Sequence, residues 1–365
     1  MAIKASGGNP PANSLRFTEI ENEFGQHSGI GNRTLGNYRL QNVNIGDLTE
    51  VSLSRDGCGI NANSSIPVDN QPIKFSDFYN AKQNILVNFF SSNQNRKNAK
   101  TEYSNNNVTV VGPGSKPSNT GGKKIIIHVT KRIGSVRNGG VNRVALRTGS
   151  WDSETDLLVE VGEGGIIAGA GGQGGEGREG TSGTNGETGN SGLGVQYNGT
   201  KIQTTGGKIM CGFGGGGAGG GGDTKREGSR WGRGRGPEVK AGGGGGGGGQ
   251  GIPGGLGGEG GEGRDGTTGD HEAAGNGAEG AEVSSRGDAT INGGDGGEGG
   301  HENDFSADGG ETASLSGGRH EDPYRAGGGS GGGNGAAIRK SSGSISFTLV
   351  GSPNIIGDTN QTGVS

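Results

Sequence analysis

Apolar and aromatic side chains are scarce in this chain: they make up 26% and 4% of its 365 residues. The scarcity is uneven, because of 91 glycines 17 precede residue 162, 4 follow residue 335 and 70 fall in the 174 residues between. An ordinary oily core is therefore open to residues 1–161 and closed to most of the chain beyond them. Cysteine is nearly absent. Cys58 and Cys211 stand apart with no CxxC or Cys/His cluster near them, which excludes a disulfide framework and a zinc site. No apolar run approaches the roughly 18 residues of a membrane span, and the start, MAIKASGGNPPANS, has no signal-peptide apolar stretch. A net charge of −4 gives no reason to expect nucleic acid as a partner.

Catalytic signals are missing too. G-x-G-x-x-G recurs by chance in so glycine-rich a chain, and Gly122-Lys123 is followed by Lys124 with Pro117 at the required first position, so no phosphate loop forms. His271, His301 and His320 are scattered in acidic polar segments. The stretches GEGGEGRD and GGDGGE have the look of calcium-binding nonapeptides but lack their recurrent apolar residue. No cofactor or metal is expected, and the chain reads as a non-enzyme. A polysaccharide depolymerase would need paired carboxylates on a β-helix, and no periodic apolar core for one is evident.

What is present is a register. Gly162, Gly165, Gly171, Gly174, Gly177, Gly180, Gly183, Gly186, Gly189 and Gly192 keep a step of three, with Ala168 as the exception. That is neither the 3.6 step of an α-helix nor the 2.0 of a strand; it is the step of polyproline II. Collagen would show the same step, but 10 prolines and repeated breaks of phase exclude it. A flexible linker has no reason to hold a register. Two readings stand: plain disorder, which the glycine-rich, apolar-poor composition favours, and a bundle of polyglycine-II helices, packed backbone to backbone with N–H···O=C bonds in place of oil, which the sustained register favours. Fully extended, the first stretch would reach roughly 95 Å, so it is expected to fold back at turns such as Thr184-Asn185-Gly186.

Around this region the chain divides into 1–82, a docking module; 83–161, a small antiparallel β-sandwich completed by 341–351; 162–340, the bundle; and 352–365, a tail. Strands are expected at 85–90, 108–111, 124–130, 143–147 and 156–161, separated by Asn/Gly and Pro/Gly turns. Residues 344–350 should pair back into that sheet. The fold class is mainly β and irregular. In the first module LRFTEI at 15–20 recurs in kind as IKFSDF at 73–78, with a short helix expected near 19–24 and a turn capped by Ser76. Beyond residue 192 glycine blocks alternate with segments of different character at 193–211, 223–241, 270–292 and 301–326, as a scaffold alternates with loops. The segment 223–241 holds the one basic patch, Lys225, Arg226, Arg230, Arg233 and Arg235 around Trp231. Arg and Trp dominate binding hot spots, although a solvated loop tip has the same composition.

The chain bears two family resemblances. SLRFTEIENEFG, LGNYRL and IPVDNQPIKFSDFYNA, over about residues 13–81, resemble an N-terminal module recurring in tail and tail-fibre proteins of tailed bacteriophages. This implies assembly contacts through Phe17, Ile20, Phe24, Phe75, Phe78 and Tyr79. The alternating glycine blocks and inserts over about 162–340 resemble the tip adhesins of the long tail fibres of T-even-like phages. In that family polyglycine-II helices form a packed sandwich and the inserts face the bacterial surface; the bundle chemistry is also similar to the antifreeze proteins of snow fleas. The resemblance implies a virion tail protein made in the host cytoplasm. Its expected receptor-binding residues are Tyr197, Arg230, Trp231, Arg233, Arg235, Phe305 and Tyr324. Its implied partners are other tail or fibre proteins and a bacterial outer-surface receptor, protein or polysaccharide, and a trimer within the tail is one arrangement it allows. The rival reading is a structural baseplate or fibre connector with the bundle as spacer.

Overall fold

In the computed structural model the described residues are 18–20, 35, 72–78, 84–89, 94–111, 116–137, 140–226, 238–284, 290–316 and 320–364. From residue 84 the chain winds as a three-sided coil. The first turn is β1 (Asn84–Phe89), β2 (Gln94–Asn95) and β3 (Lys97–Asn98), followed by helix α1 (Ala99–Ser104) and β4 (Val108–Val111). Asn98 caps α1, its side chain accepting from the N–H groups of Lys100 and Thr101. The second turn is β5 (Lys124–Val129), β6 (Arg132–Gly134) and β7 (Val144–Arg147); the third is β8 (Asp156–Gly162), β9 (Ile166–Ala168) and β10 (Ser191–Val195). The fourth opens with β11 (Thr200–Thr205) and β12 (Lys208–Met210).

The chain then leaves on a long excursion containing six short strands: β13 (Gly222–Arg226), β14 (Glu238–Ala241), β15 (Glu282–Ser284), β16 (Thr290–Asn292), β17 (Ser314–Ser316) and β18 (His320–Arg325). It returns as β19 (Ile338–Lys340), which closes the fourth turn. The fifth turn is β20 (Phe347–Leu349), β21 (Ile355–Ile356) and β22 (Gln361–Thr362).

Each turn gives one strand to each of three sheets. Their orders are β20-β11-β8-β5-β1-β4, β2-β6-β9-β12-β21 and β22-β19-β10-β7-β3, and every pairing among them is parallel except β1 with β4. Side chains stack in columns up the inside: Val87, Ile127, Val159 and Ile202 on one side, Ile133, Ile167 and Ile209 on the second, Leu146, Leu193 and Ile338 on the third. All are fully buried in one core.

Three expectations need correction here, and a fourth holds. The antiparallel sandwich is a parallel coil, and the unbroken burial of β5 (KIIIHV) is what strands covered on both faces look like. Residues 193–211 are not a loop but the strands β10 to β12. Residues 352–365 are not a tail, since 355–362 carry β21 and β22. Residues 344–350 do rejoin the sheet, but at its end, parallel to β11.

The glycine region grows from one corner of this coil, between the second and third sheets: residues 169–190 interrupt the third turn and 211–337 the fourth. It consists of ten runs with little assigned helix or strand: 169–179, 182–190, 212–221, 242–250, 253–261, 264–270, 273–281, 293–300, 307–313 and 326–335. Backbone bonds tie them at a step of three. Gly171, Gly174 and Gly177 donate to Pro253, Leu256 and Glu259; Gly212, Gly215, Ala218 and Gly221 donate to Asn190, Glu187, Thr184 and Thr181.

Two runs are central. Residues 212–221 donate to runs 182–190, 242–250 and 307–313 in rotation, and accept from runs 169–179, 293–300 and 326–335. Residues 242–250 likewise donate to 169–179, 293–300 and 264–270, and accept from 273–281, 253–261 and 212–221. Each therefore has six neighbours, and the other eight runs form a closed ring around the pair, a hexagonal net in rows of three, four and three.

The number of neighbours explains the glycine pattern. A run with neighbours on all six sides has little room for side chains: 242–249 is glycine throughout, and 212–221 departs from glycine only at Phe213 and Ala218. A Cβ on Gly216 or Gly247 would lie 2.0 or 1.9 Å from the carbonyl oxygen of Gly297 or Gly275. Run 182–190 meets three neighbours and keeps only Gly183, Gly186 and Gly189. The first fold-back comes between Gly177 and Thr184, around Gly180 with φ +60°, rather than at Thr184-Asn185-Gly186, which lies inside the returning run. Gly162 and Gly192 belong to β8 and β10 of the coil.

Candidate functional site: the distal end of the glycine net

Each run crosses the net once, so its turns collect at two ends. The near end abuts the coil: Gly169 N–H donates to Met210, and Ser135 and Ile252 tie the turn after 242–250 to the second coil turn. It is filled by Ala168, Met210, Cys211 and Phe213, with Ile166, Ile252 and Ile356 against them. Phe213 fits in a run that is otherwise glycine apart from Ala218 because run 293–300 ends beside it, the Cβ position of Gly300 being 3.5 Å from Phe213 Cβ.

Two near-end turns are closed by their own carboxylates, as the far-end turn 261–264 is by Asp265, whose Oδ1 accepts from Gly260 N–H. Asp270 Oδ1 accepts from the N–H groups of Glu272 (2.7 Å) and Ala273 (2.8 Å), and Asp304 Oδ1 accepts from Ser306 N–H and Oγ. These bonds hold both acids below the usual carboxylate range, the backbone bond from Glu272 leading for Asp270 and the Ser306 hydroxyl for Asp304. A shallow cleft of about 320 Å³ also opens at this end, lined by Arg132, Pro253, Asp270 and His271 among others.

The far end is built differently. There the runs pass into paired strands: β14-β13-β18 form one antiparallel sheet and β15-β16-β17 a second. Four of these junctions carry an alanine, Ala241, Ala281, Ala313 and Ala326, all buried, as is Ile291, 1% exposed, which with Ala313 lies beside Gly222. Side-chain volume returns where the net loosens, and this small plug seats the two sheets. In the first sheet Asp223 faces Tyr324 on one side and Lys240 on the other, with a register shift between Asp223 and Lys225. Tyr324 is 51% exposed. The sheets extend the net away from the coil; the connections 227–237, 285–289 and 317–319 between their strands lie outside the described residues. The turns 179–182 and 261–264 share that end, the latter with Glu262 at φ +62°.

The residues expected from sequence are thus divided. Tyr324 is at the far end. Arg230, Trp231, Arg233 and Arg235 lie outside the described residues, in the connection between β13 and β14. Phe305 is at the opposite, near end: though 49% exposed, it sits edge-on to Phe213 at 5.5 Å, so the segment 301–326 is not one loop but a near-end turn, a crossing run and two far-end strands that join different sheets. Tyr197 belongs to the coil, its hydroxyl donating to the Asp152 carbonyl while its ring packs on the core.

Among the assembly residues, Ile20 and Phe78 are fully buried, Phe75 is 41% exposed, and Phe17, Phe24 and Tyr79 lie outside the described residues. Residues 18–20 are helical, and Ser76 lies inside a 3-10 turn (Phe75–Phe78) rather than capping it. Among the described residues no group of three His, Cys, Asp or Glu could hold a metal ion, and no helix is long and apolar enough to cross a membrane. The far-end signal that sequence reasoning missed is the set of alanines flanking the glycine blocks, each marking a junction.

No family model matches the chain, and no curated protein matches it. Among solved structures it is similar to the gp37-gp38 adhesin tip complex of the bacteriophage S16 long tail fibre, at 19% identity and a TM-score of 0.40, covering 80% of this chain and 88% of that one.

Proposed function

We propose that the chain is a tail adhesin of a bacteriophage virion, binding a bacterial surface molecule through the far-end connections, and that its ten runs are polyglycine-II helices. One observation carries the reading: a net without oil gathers its turns at two ends, with the coil against one and two antiparallel sheets, beside the turns 179–182 and 261–264, at the other. At the polyproline II rise of about 3.1 Å per residue the run 212–221 spans about 28 Å, enough to stand the connections clear of the coil. Rigid mounting lowers the ordering cost of binding. The strands β13 and β14, which the basic, Trp-bearing segment 227–237 joins in sequence, share this end with exposed Tyr324, and that composition is one of a contact surface. Phe305 and Tyr197 lie outside the proposed site.

The test is competition. Purified chain incubated with host cells should cut adsorption of the phage at least tenfold. The same chain with 227–237 replaced by a Gly/Ser linker and Tyr324→Ala should fold with an unchanged melting temperature and block far less. Undiminished adsorption in the presence of wild-type chain would leave the connector reading in its place.

A further inference from the structure

The cleft of about 320 Å³ at the near end of the net lies where three separate stretches meet: Arg132 comes from β6 of the coil, Ile252 and Pro253 from the turn after 242–250, and Asp270 and His271 from the turn after 264–270. Both turns are tied in place. Ile252 N–H donates to the Gly169 carbonyl and the Ile252 carbonyl accepts from Ser135 N–H, while Arg137 Nε donates to the Gly254 carbonyl at 2.8 Å. Gln250 Nε2 donates to the His271 carbonyl at 3.1 Å, and Gly251 N–H to the Asp270 carbonyl at 2.8 Å, which joins one turn to the other. The walls are therefore set before any ligand arrives, and less ordering cost falls on binding.

Two charges flank this cleft without neutralising each other. Arg132 is exposed, and among the described residues its guanidinium makes no hydrogen bond or ion pair. Asp270 uses only Oδ1, in the turn bonds from Glu272 and Ala273, which leaves Oδ2 open. After those two bonds, attraction to His271 and Arg132 lowers the Asp270 carboxyl further, so Arg132 and Asp270 act on each other across the gap with no direct contact. Between them Ile252 and Pro253, both half-buried, supply an apolar patch.

This set of groups selects for charge. An anion gains little where Asp270 offsets Arg132 and exposed Glu272 stands next in the chain, and a cation meets Arg132. A neutral molecule with several hydroxyls satisfies both sides, donating to Asp270 Oδ2 and accepting from the guanidinium, and such charge-assisted bonds exceed neutral ones in strength. The volume is near the lower limit of ligand pockets, roughly 300–1,000 Å³, which restricts the occupant to a small ring. We propose that the cleft is a binding subsite for one neutral pyranose unit of a saccharide, with its C–H face on Pro253 and Ile252 and its hydroxyls shared between Arg132 and Asp270. The subsite is separate from the far-end connections and stands whether or not those bind the host.

Saturation-transfer NMR on the full chain tests it, with the methyl pyranosides of glucose, galactose and mannose as probes and glucuronate and glucosamine as charged controls. At least one methyl pyranoside should receive saturation at millimolar concentration, and the charged sugars less. Arg132→Ala, at an exposed side chain that makes no bond, should raise the dissociation constant at least tenfold with an unchanged melting temperature. Asp270→Asn, which keeps an acceptor for the turn, should do the same; if it lowers the melting temperature, the Arg132 variant decides. Transfer to none of the three pyranosides, stronger transfer to either charged sugar, or transfer that survives Arg132→Ala would each overturn the proposal while leaving the adhesin reading intact. Transfer abolished by replacing 227–237 and untouched by Arg132→Ala would overturn it too, and place the sugar at the far end.

Discussion

At the scale of single residues, glycine here is a statement about the number of neighbours. A Cβ at Gly247 meets the Gly275 carbonyl oxygen at 1.9 Å, whereas a Cβ at Gly327 meets nothing within 4 Å. Gly247→Ala must push two backbones apart inside a net bonded on every side, and a loss of about 3 kcal/mol, the upper end of overpacking costs, is expected. Gly327→Ala should be neutral or slightly stabilising, by up to about 1 kcal/mol, through the unfolded chain. Melting of the two variants checks the contrast, and equal losses would refute the net. The step of three was legible in sequence because it is the edge pattern, one or two bare sides per turn. The solid glycine of 242–249 was not, since a block with no phase reads as low complexity until its six neighbours are known.

Buried carboxylates make a second residue-scale prediction. On the outward face of the first sheet Asp156 is bonded by Lys124 Nζ at 3.2 Å and Lys201 Nζ at 3.0 Å. Burial drives its carboxyl upward, but the two lysines outweigh this and hold it below its ordinary value. Glu160, two sheet positions along on the same face, accepts only from Thr205 Oγ1 at 3.1 Å, and its Oε2 has no partner among the described residues. Burial therefore pushes Glu160 up. A raised carboxyl is at no disadvantage below its unfolded value of about 4.3 and costs stability as pH rises through its folded value. Glu160→Gln should thus melt with wild type near pH 4 and about 2 °C higher at pH 8. A constant gap at both pH values would remove ionisation as the cause.

Among elements, the parallel coil was the part least legible in sequence. Its strands β1, β4, β5, β7 and β8 were located within a residue or so, because β-branched runs between turn residues are a local signal. Their direction was not, because the first-sheet strands begin at residues 84, 124, 156, 200 and 347 and no fixed period announces a repeat. The two excursions break the coil inside a turn, a break no local pattern marks. The last turn depends on Arg339, which is 3% exposed; its guanidinium donates to Ser191 Oγ, Asn142 Oδ1, Gln361 Oε1 and the Thr362 carbonyl. Burial lowers its pKa, yet it stays charged at any pH a folded protein meets. Arg339→Ala forfeits bonds worth about 2 kcal/mol. Amide exchange should accelerate across 355–363, with β5 and β8 unchanged. Uniform acceleration through the coil would show that Arg339 supports the whole base and not its last turn.

For the whole molecule, two kinds of cohesion meet in one chain: the coil is held by stacked Ile, Leu and Val, the net by amides. Burial of apolar surface is what gives unfolding its heat capacity, while polar exposure lowers it. A net whose interior is peptide groups should therefore contribute little or even negatively, and calorimetry should return a value for the whole chain well below the usual 12–15 cal/mol/K per residue. Every N–H from 212 to 221 is bonded, Gly214 to the Asn334 side chain and the rest to other runs or turns. These amides and those of 243–249 should exchange slowest in the net, with the outer runs 264–270 and 307–313 faster at their outward N–H groups. An ordinary heat capacity together with fast exchange at the central runs would mean that apolar packing alone keeps the protein folded. The far-end strands would then have no stiff support, and a binding face could not be held at a distance from the coil.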